Sequence, residues 1–487
     1  MTERANKYSR ILFIILAVGA FFYVAARAYL IGITHDEAYS VYLADTNYFN
    51  ALVSTANTHW LNSFFIKLFV VIIGSEPLSI RLHSVLAFLV FAYFLYRFFI
   101  ELKSVGAGII LIALFFLNRF SLEYFSLARG YGICLAFLVA SIFFAYKTLT
   151  EKTISFKHQL YSLIFGILAV ASNYTALIQF CGIFTFLIIS IYLKSGKLDI
   201  LKQRKYIHLF ILFFGTCVVA ITNLLIIKFF SNDLQFGGDI SFFTNTLDSI
   251  INYIAYPNDS LVQLKVISTS SLLLFCFLLA VFIYGIVKRD IKIIFFSTLF
   301  FFQVFINYLL FFLFDTPFPY LRTALVLFPA IAFSIVWFFE SINLKAYYKI
   351  IVGITVLVAS GFLLFRTFSL NSAYEWRKQS EIEYALNYLN QDISNNHIDS
   401  PKILVCGNMY SLWKNYYNHF YPEKYIHKLA LIHNYYLPLE VSQYQSFDYL
   451  VSARELDSNL SENNDEFILL KRYPQSHLSI YKICINN

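Results

Sequence analysis

Residues 11–31 read ILFIILAVGAFFYVAARAYLI, an apolar run long enough to cross the hydrocarbon core of a bilayer, about 30 Å. A basic start and the small residues Ala25-Ala26-Arg27-Ala28 could also indicate a cleaved signal peptide. The run continues to Ile31, so we interpret it as an uncleaved first span. Of the 487 residues, 59% are hydrophobic and 14% are charged, whereas a soluble domain carries about 25% charged residues. The sequence therefore predicts a polytopic membrane protein.

The basic residues determine the predicted topology. Six basic clusters separate the apolar runs, and the positive-inside rule places all of them on the cytoplasmic side. The runs then alternate only if the short run 59–74 does not cross, so we interpret that run as interfacial or re-entrant. About eleven spans are predicted, at 11–31, 79–100, 105–119, 131–149, 158–173, 175–193, 207–230, 265–287, 292–312, 323–340 and 347–367.

Charge and cysteine content exclude other classes. The net charge of +8 would suit a nucleic-acid partner, but the basic residues follow the membrane pattern and no motif for RNA or DNA binding occurs. No pair of the six cysteines has CxxC spacing, so a structural zinc site is not predicted. Cys406 and Cys484 share the polar C-terminal region and could form a disulfide in an oxidising compartment.

The composition changes after residue 367. Short apolar runs bounded by polar residues follow, and they suit the strands of a small α/β domain. We therefore predict an all-α membrane domain of about 11–12 transmembrane helices at 1–367 and a soluble extracytoplasmic α/β domain at 368–487. Tyr416 and Tyr417, with Trp413, form either a surface that contacts a sugar or acceptor or part of the core of this domain.

Two adjacent carboxylates, Asp36 and Glu37, open the first outside loop. Carboxylates next to the hydrocarbon are costly and are functional candidates by default. A partly desolvated carboxylate can also act as a general base. The spacing equally fits a capping box, with Thr34 as the N-cap and Glu37 at N3. The structural and the functional interpretation can hold together.

Two arginines, Arg129 and Arg322, lie at span starts on the same outer face, where the positive-inside rule does not explain them. Each either snorkels to the interface or binds a phosphate, the anion that suits a planar guanidinium. His59 lies beside an aromatic residue and is more often a packing residue than a ligand. Together with the carboxylates, these residues suit a phosphate-bearing lipid substrate.

The order of four motifs resembles that of the GT-C membrane glycosyltransferases. The resemblance is greatest to the group that holds the family 39 protein O-mannosyltransferases and the lipid A aminoarabinose transferases, and it covers about residues 1–367. The proline pair that this group carries after the histidine is absent here. The matching residues are Asp36-Glu37, His59-Trp60-Leu61-Asn62 with Gly74 and Arg81-Leu82-His83-Ser84, Arg129-Gly130-Tyr131, and Arg322 with Pro329.

The resemblance implies a glycosyltransferase that moves a sugar from a polyprenyl-phosphate donor to a hydroxyl of a protein, lipid or glycan. The site would face the periplasm of a bacterial inner membrane. No metal is expected to be obligatory, although some relatives bind a divalent metal. The implied roles are catalytic for Asp36 and Glu37, donor-phosphate binding for Arg129, Arg322 and His59, and substrate contact for Tyr39, Asn62, Tyr131 and Tyr320.

Other functions fit the same composition. A transporter or lipid flippase would place ionisable residues near the bilayer midplane and often carries inverted repeats. Here the ionisable residues lie at span ends, and the sequence shows no repeat. A glycan polymerase or ligase with a diphosphate-linked donor and a scaffold without activity are the remaining alternatives.

Overall fold

The computed structural model describes eleven ranges of the chain. Cys406 and Cys484, and with them the disulfide that they could form, lie outside these ranges. The described residues are 3–46, 59–195, 203–231, 237–255, 261–377, 380–398, 401–405, 412–421, 447–452, 467–473 and 478–483.

Helices dominate the first three-quarters of the chain. The α-helices are α1 (Glu3–Leu30), α2 (His35–Thr46), α3 (Trp60–Ile73), α4 (Pro77–Phe99), α5 (Val105–Phe116), α6 (Arg119–Glu123), α7 (Tyr131–Thr150), α8 (Phe156–Ser172), α9 (Leu177–Ser195), α10 (Arg204–Ile226), α11 (Asp248–Ala255), α12 (Leu261–Lys288), α13 (Ile291–Phe314), α14 (Phe328–Ser341), α15 (Ala346–Arg366), α16 (Ile382–Asn395) and α17 (Asn418–Phe420). Short 3₁₀ turns cover Tyr124–Ser126, Tyr174–Ala176 and Leu321–Leu327, and π turns cover Ile227–Ser231, Phe242–Leu247 and Trp413–Tyr417.

Within the described ranges, nine helical segments are long and apolar enough to cross a membrane. The predicted fold class, a helical membrane region with a small C-terminal sheet domain, is therefore confirmed. The nine segments are Lys7–Leu30, Pro77–Phe99, Tyr131–Thr150, Tyr174–Lys194, Arg204–Phe229, Lys265–Lys288, Ile291–Phe314, Leu321–Ser341 and Ala346–Arg366.

Two of the eleven predicted spans form shorter helices. The run 105–119 breaks after Phe116, because Asn118 begins a new helix by accepting a hydrogen bond from the Phe120 N–H at 3.0 Å. The two pieces are bent by 49° and make one span only if they are counted together. The run 158–173 forms the 17-residue helix α8, which lies at the lower limit of length for a span, about 17 residues.

The ambiguous run 59–74 forms α3, a helix of 14 residues. At 1.5 Å per residue this helix is about 21 Å long, which is shorter than the hydrocarbon core. The length is consistent with a segment that does not cross.

The chain divides into two compact units. Unit 1 comprises Met1–Ala25, Phe49–Phe65 and Arg81–Phe368, and unit 2 comprises Ala26–Tyr48, Ile66–Ile80 and Ser369–Asn487. Unit 2 thus contains two segments from the first fifth of the chain in addition to the predicted C-terminal domain.

A four-stranded sheet in the order β1-β2-β4-β3 lies in unit 2. Strand β1 runs parallel to β2, and β2 and β3 each run antiparallel to β4. The strands are β1 (Ile403–Val405), β2 (Tyr449–Ser452), β3 (Phe467–Tyr473) and β4 (Leu478–Ile483).

Helix α16 packs against strand β4 of this sheet. The apolar face of α16, with Ile382 and Leu389, is buried. The Tyr449 hydroxyl on β2 donates to the Asp392 carboxylate on α16 at 2.7 Å. Tyr416 and Tyr417 are buried, and Tyr416 donates to the Ser75 carbonyl at 2.8 Å. Of the two interpretations of these tyrosines, burial favours the core.

Glycine residues allow α5 and α15 of unit 1 to pack closely. A Cβ added to Gly106 on α5 would overlap the backbone carbonyl of Lys349 on α15. One built on Gly353 would lie 2.9 Å from the Gly106 carbonyl oxygen. Glycine therefore lets the two backbones approach closely, as small residues do in membrane helix pairs.

We expect Gly106→Ala to destabilise the protein by about 1–3 kcal/mol, because the new methyl group forces α5 away from α15. The measurement is thermal unfolding of the detergent-solubilised protein. Gly215→Ala on α10 is the matched control, since no atom lies within 4 Å of its added Cβ. Equal unfolding midpoints for the two variants would contradict this explanation of Gly106.

Candidate active site

The two predicted carboxylates lie in the first turn of α2, in unit 2. The Glu37 N–H donates to Thr34 Oγ1 at 3.2 Å, and the Thr34 N–H donates to Glu37 Oε2 at 3.1 Å. These two bonds confirm the capping box. Glu37 has no exposed surface, and one of its carboxylate oxygens accepts the Thr34 N–H at the start of the helix. This contact stabilises the fold.

Asp36 lies beside Glu37 with a side chain that is also buried, at 5% exposure. Its Oδ1 pairs with His35 Nε2 at 3.1 Å. Both carboxylates lie where the positive end of the helix dipole stabilises negative charge. Sequence reasoning gave no role to His35, and only its position next to Asp36 could have indicated one. The predicted substrate contact Tyr39 lies on the same helix and is half-buried.

The other end of α2 is held by the C-terminal part of unit 2. Asp45 pairs with His419 Nε2 at 2.9 Å, and the rings of Tyr42 and His419 meet edge to face at 5.3 Å. Before α2, the buried Arg27 guanidinium donates to the backbone carbonyls of Ser369 and Ser372. Both sides of the acidic segment are therefore tied to residues beyond 368.

Arg129 lies in unit 1, in the turn between the 3₁₀ turn 124–126 and α7, and it is 1% exposed. The next residue, Gly130, has φ +74°, a conformation that glycine adopts without steric cost. A Cβ at Gly130 would overlap the Ser172 carbonyl and lie 3.1 Å from the Cβ of His59. This turn, residues 127–130, is therefore both tightly wound and closely packed, and we call it the arginine turn.

Two predicted site residues lie next to Gly130. The rings of His59 and Tyr131 meet edge to face, with centroids 5.7 Å apart. His59 Nε2 also lies 3.4 Å from Asn173 Nδ2, at the end of α8. His59 is 7% exposed, so the structure places it as a buried neighbour of the arginine turn.

Asn62 on α3 also contacts this turn. Its Nδ2 donates to the Ala128 carbonyl at 3.0 Å, and its Oδ1 accepts from the Gly130 N–H at 2.9 Å. Asn62 has no exposed surface. A direct contact of Asn62 with a substrate stays a prediction, whereas its contacts with the turn are part of the fold.

Arg322 lies in the 3₁₀ turn Leu321–Leu327 and is half-buried. The preceding loop is held by hydrogen bonds to the segment 246–249: Thr246 Oγ1 donates to the Pro319 carbonyl at 2.7 Å, and the Leu321 N–H donates to Ser249 Oγ at 3.1 Å. Tyr320 is exposed and precedes the turn as its N-cap. Its backbone N–H donates to Thr323 Oγ1 at 2.7 Å. The turn packs against α7 and the 3₁₀ turn 174–176, and α7 begins two residues after Arg129.

A buried ion pair lies just before the arginine turn. Arg119 Nε donates to Glu123 Oε2 at 2.7 Å, and Arg119 Nη1 donates to the Thr367 carbonyl at 2.7 Å. The Tyr253 hydroxyl donates to the second oxygen of Glu123 at 3.0 Å. Sequence reasoning assigned no role to this pair. The spacing of four residues on α6 could have indicated the ion pair, but nothing local indicates Tyr253, which is 130 residues away.

The structure thus sorts the nine predicted site residues by unit. Asp36, Glu37 and Tyr39 share α2 in unit 2, and the other six belong to unit 1. Within unit 1, the arginine turn brings together His59, Asn62, Arg129 and Tyr131.

Within the part of the chain that the structure describes, no group of three or more His, Cys, Asp and Glu side chains could hold a metal ion.

Comparison with known proteins gives a likeness of architecture. No family model matches the chain, and no curated protein matches its sequence. The structure of ArnT from Cupriavidus metallidurans bound to undecaprenyl phosphate resembles it with a TM-score of 0.47 at 9% identity, over 97% of both chains. The apo structure of the same protein gives a TM-score of 0.41 at 10% identity, again over 97% of both chains. At these values the likeness assigns no role to any residue, and such roles depend on the geometry described above.

We expect Gly130→Ala to destabilise the protein by about 1–3 kcal/mol, because it adds both backbone strain and an overlap with Ser172. Thermal unfolding in detergent measures the loss. Gly74→Ala is the matched control: Gly74 also has a positive φ, +116°, but no atom lies within 4 Å of its added Cβ. Equal losses would mean that backbone conformation alone, and not close packing, requires glycine at Gly130.

Proposed function

We propose that this chain is a membrane glycosyltransferase that moves a sugar from a polyprenyl-phosphate donor to a hydroxyl acceptor. The observation that carries the proposal is the buried Arg129 on its fixed turn at the start of a membrane helix. A guanidinium stays charged at every physiological pH, and its planar fork can bind a phosphate through two parallel hydrogen bonds. Arg322 supports the proposal as a second guanidinium on an element that packs against the same helix.

Asp36 is the proposed general base. Its carboxylate lies at the N-terminus of α2, nearly buried and paired with His35. Glu37 is the second residue of the Asp36-Glu37 motif. It would stabilise the helix start that it caps and would not act on the substrate.

The proposed reaction is a single displacement. Asp36 takes the proton of the acceptor hydroxyl, and the acceptor oxygen forms a bond to the anomeric carbon of the sugar. The bond from that carbon to the phosphate oxygen breaks, and the electron pair leaves with the polyprenyl phosphate. Arg129 and Arg322 would stabilise the negative charge that develops on the phosphate, which is electrostatic catalysis by preorganised groups. The anomeric configuration is inverted. No step requires a metal ion.

We place the site on the extracytoplasmic face of a bacterial inner membrane. This placement is supported by the six basic clusters between the apolar runs: the positive-inside rule assigns the clusters to the cytoplasmic face, and the alternation of the runs then assigns both arginines and Asp36 to the opposite face. The acceptor would be a hydroxyl of a protein, a lipid or a glycan. Undecaprenyl phosphate, the lipid named for ArnT, is a suitable first probe for the donor site.

We expect Asp36→Asn to lower the rate of sugar transfer by at least about 100-fold, since loss of a general base typically costs this much. The assay follows transfer from a labelled lipid-linked sugar by the full chain in nanodiscs. Asp239→Asn, which neutralises an exposed carboxylate, is the control and should leave the rate unchanged. Full activity of Asp36→Asn would refute its role as the base. Movement of lipid across proteoliposomes without any transfer would favour a flippase.

Arg129→Lys keeps the positive charge but loses the planar fork, so we expect it to raise the KM for the lipid-linked donor about tenfold. Steady-state kinetics over a series of donor concentrations measure this change. Arg97→Lys makes the same exchange at a half-buried arginine that donates to the Tyr93 hydroxyl at 2.9 Å. A donor KM that is equal in the two variants would contradict phosphate binding by Arg129.

A further inference from the structure

Asn62 is a buried amide within a strongly apolar helix. Helix α3 reads WLNSFFIKLFVVII, and Asn62 has no exposed surface. Burying an amide without hydrogen bonds is costly, so its partners indicate why it stands there. Two of those partners are the backbone groups on either side of one residue, Arg129.

The side chain of Asn62 spans the arginine turn. Its Nδ2 donates to the carbonyl of Ala128, and its Oδ1 accepts from the N–H of Gly130. The residue between these two groups is Arg129. One rigid amide therefore fixes the backbone immediately before and immediately after the guanidinium-bearing residue.

A residue of helix α4 also contacts this amide. His83 Nε2 lies 2.9 Å from Asn62 Oδ1. Because that oxygen can only accept, His83 Nε2 must carry the hydrogen. The imidazole is held in place by stacking on Phe65, with centroids 5.9 Å apart and an interplanar angle of 18°.

The next residue of α4 contacts the same turn. Ser84 Oγ donates to the Leu127 carbonyl at 2.8 Å. His83, Ser84 and Asn62 are all buried, and together they bind the backbone at Leu127, Ala128 and Gly130. We call these three side chains the turn clamp.

We infer that the turn clamp positions Arg129 for the donor phosphate. This inference rests on the proposed function and deepens it. The clamp residues are positioning residues: they act through the backbone of the arginine turn and not on the substrate. A guanidinium gains from a bidentate geometry only if its backbone is fixed, because a small displacement loses one of the two bonds. The clamp supplies that constraint from two helices, α3 and α4.

The test compares two substitutions of His83 by the binding of undecaprenyl phosphate to the full chain in nanodiscs. His83→Leu fills the space but removes the donor to Asn62, and we expect it to weaken binding about tenfold, the effect of losing one well-placed bond to a charged group. His83→Gln keeps a donor of similar reach and should bind within about twofold of the unchanged chain, a difference well under 1 kcal/mol.

Ser141→Ala is the matched control for loss of a buried hydrogen bond between helices. Ser141 Oγ on α7 donates to the Ser162 carbonyl on α8 at 2.7 Å, and we expect its removal to leave lipid binding unchanged. Thermal unfolding of every variant separates a local effect from a failure to fold. If Ser141→Ala weakens binding as much as His83→Leu does, the effect is one of general stability and the inference is wrong.

A double-mutant cycle tests whether the clamp acts through Arg129. In an Arg129→Lys background, His83→Leu should cause little further loss of binding, because the group that it positions is already compromised. Additive losses would overturn the inference.

Hydrogen exchange at the Gly130 amide gives a readout that does not depend on the function. We expect His83→Leu to speed this exchange and His83→Gln to leave it slow. Unchanged exchange in His83→Leu would overturn the clamp itself. If exchange responds as expected but Arg129→Lys binds the lipid normally, then the phosphate role of Arg129 fails and the clamp serves the fold alone.

Discussion

Every backbone N–H and C=O group inside the hydrocarbon must find a partner within the protein, because no water is available there. An uninterrupted helix meets this requirement by itself, which is why most of the apolar runs form single helices. The same holds in the protein interior, so wherever buried backbone leaves a helix, other groups must supply the partners. Asn118 does so at the bend between α5 and α6, and Asn62 does so at the turn before α7. The backbone can leave the helical conformation at the arginine turn because polar side chains bind its carbonyl and N–H groups there.

The same constraint applies to the residues around the arginine turn. Arg119 and Tyr253 both donate to Glu123 just before the turn in the chain, and the turn clamp binds backbone groups of the turn itself. Groups held in this way need little reorganisation when charge develops on a substrate, which is the property that electrostatic catalysis requires. On α2, the hydrogen bonds between Thr34 and Glu37 fix the first turn of the helix. Asp36 lies in that turn.

Local patterns in the sequence predict a large part of this arrangement. The membrane region follows from long apolar runs, and the capping box at Thr34 and Glu37 follows from a spacing of three residues. What escapes prediction is carried by contacts between distant residues. The partners of Asn62 lie 66 and 68 residues away, and no periodicity indicates them. The break at Asn118 was missed for a different reason: one polar residue barely changes the hydropathy of a run, although its side chain can begin a new helix.

Unit 2 has a consequence for the order in which the protein can be completed. Arg27 donates to the carbonyl of Ser369, 342 residues later, and Asp45 on α2 pairs with His419, 374 residues later. A ribosome makes and inserts the N-terminal residues first, but their partners leave the ribosome near the end of synthesis. Helix α2, which is among the first segments to be made, is therefore among the last to acquire its native contacts. In a nascent chain that stops before residue 369, the segment that bears Asp36 has neither the contact of Arg27 with Ser369 nor that of Asp45 with His419.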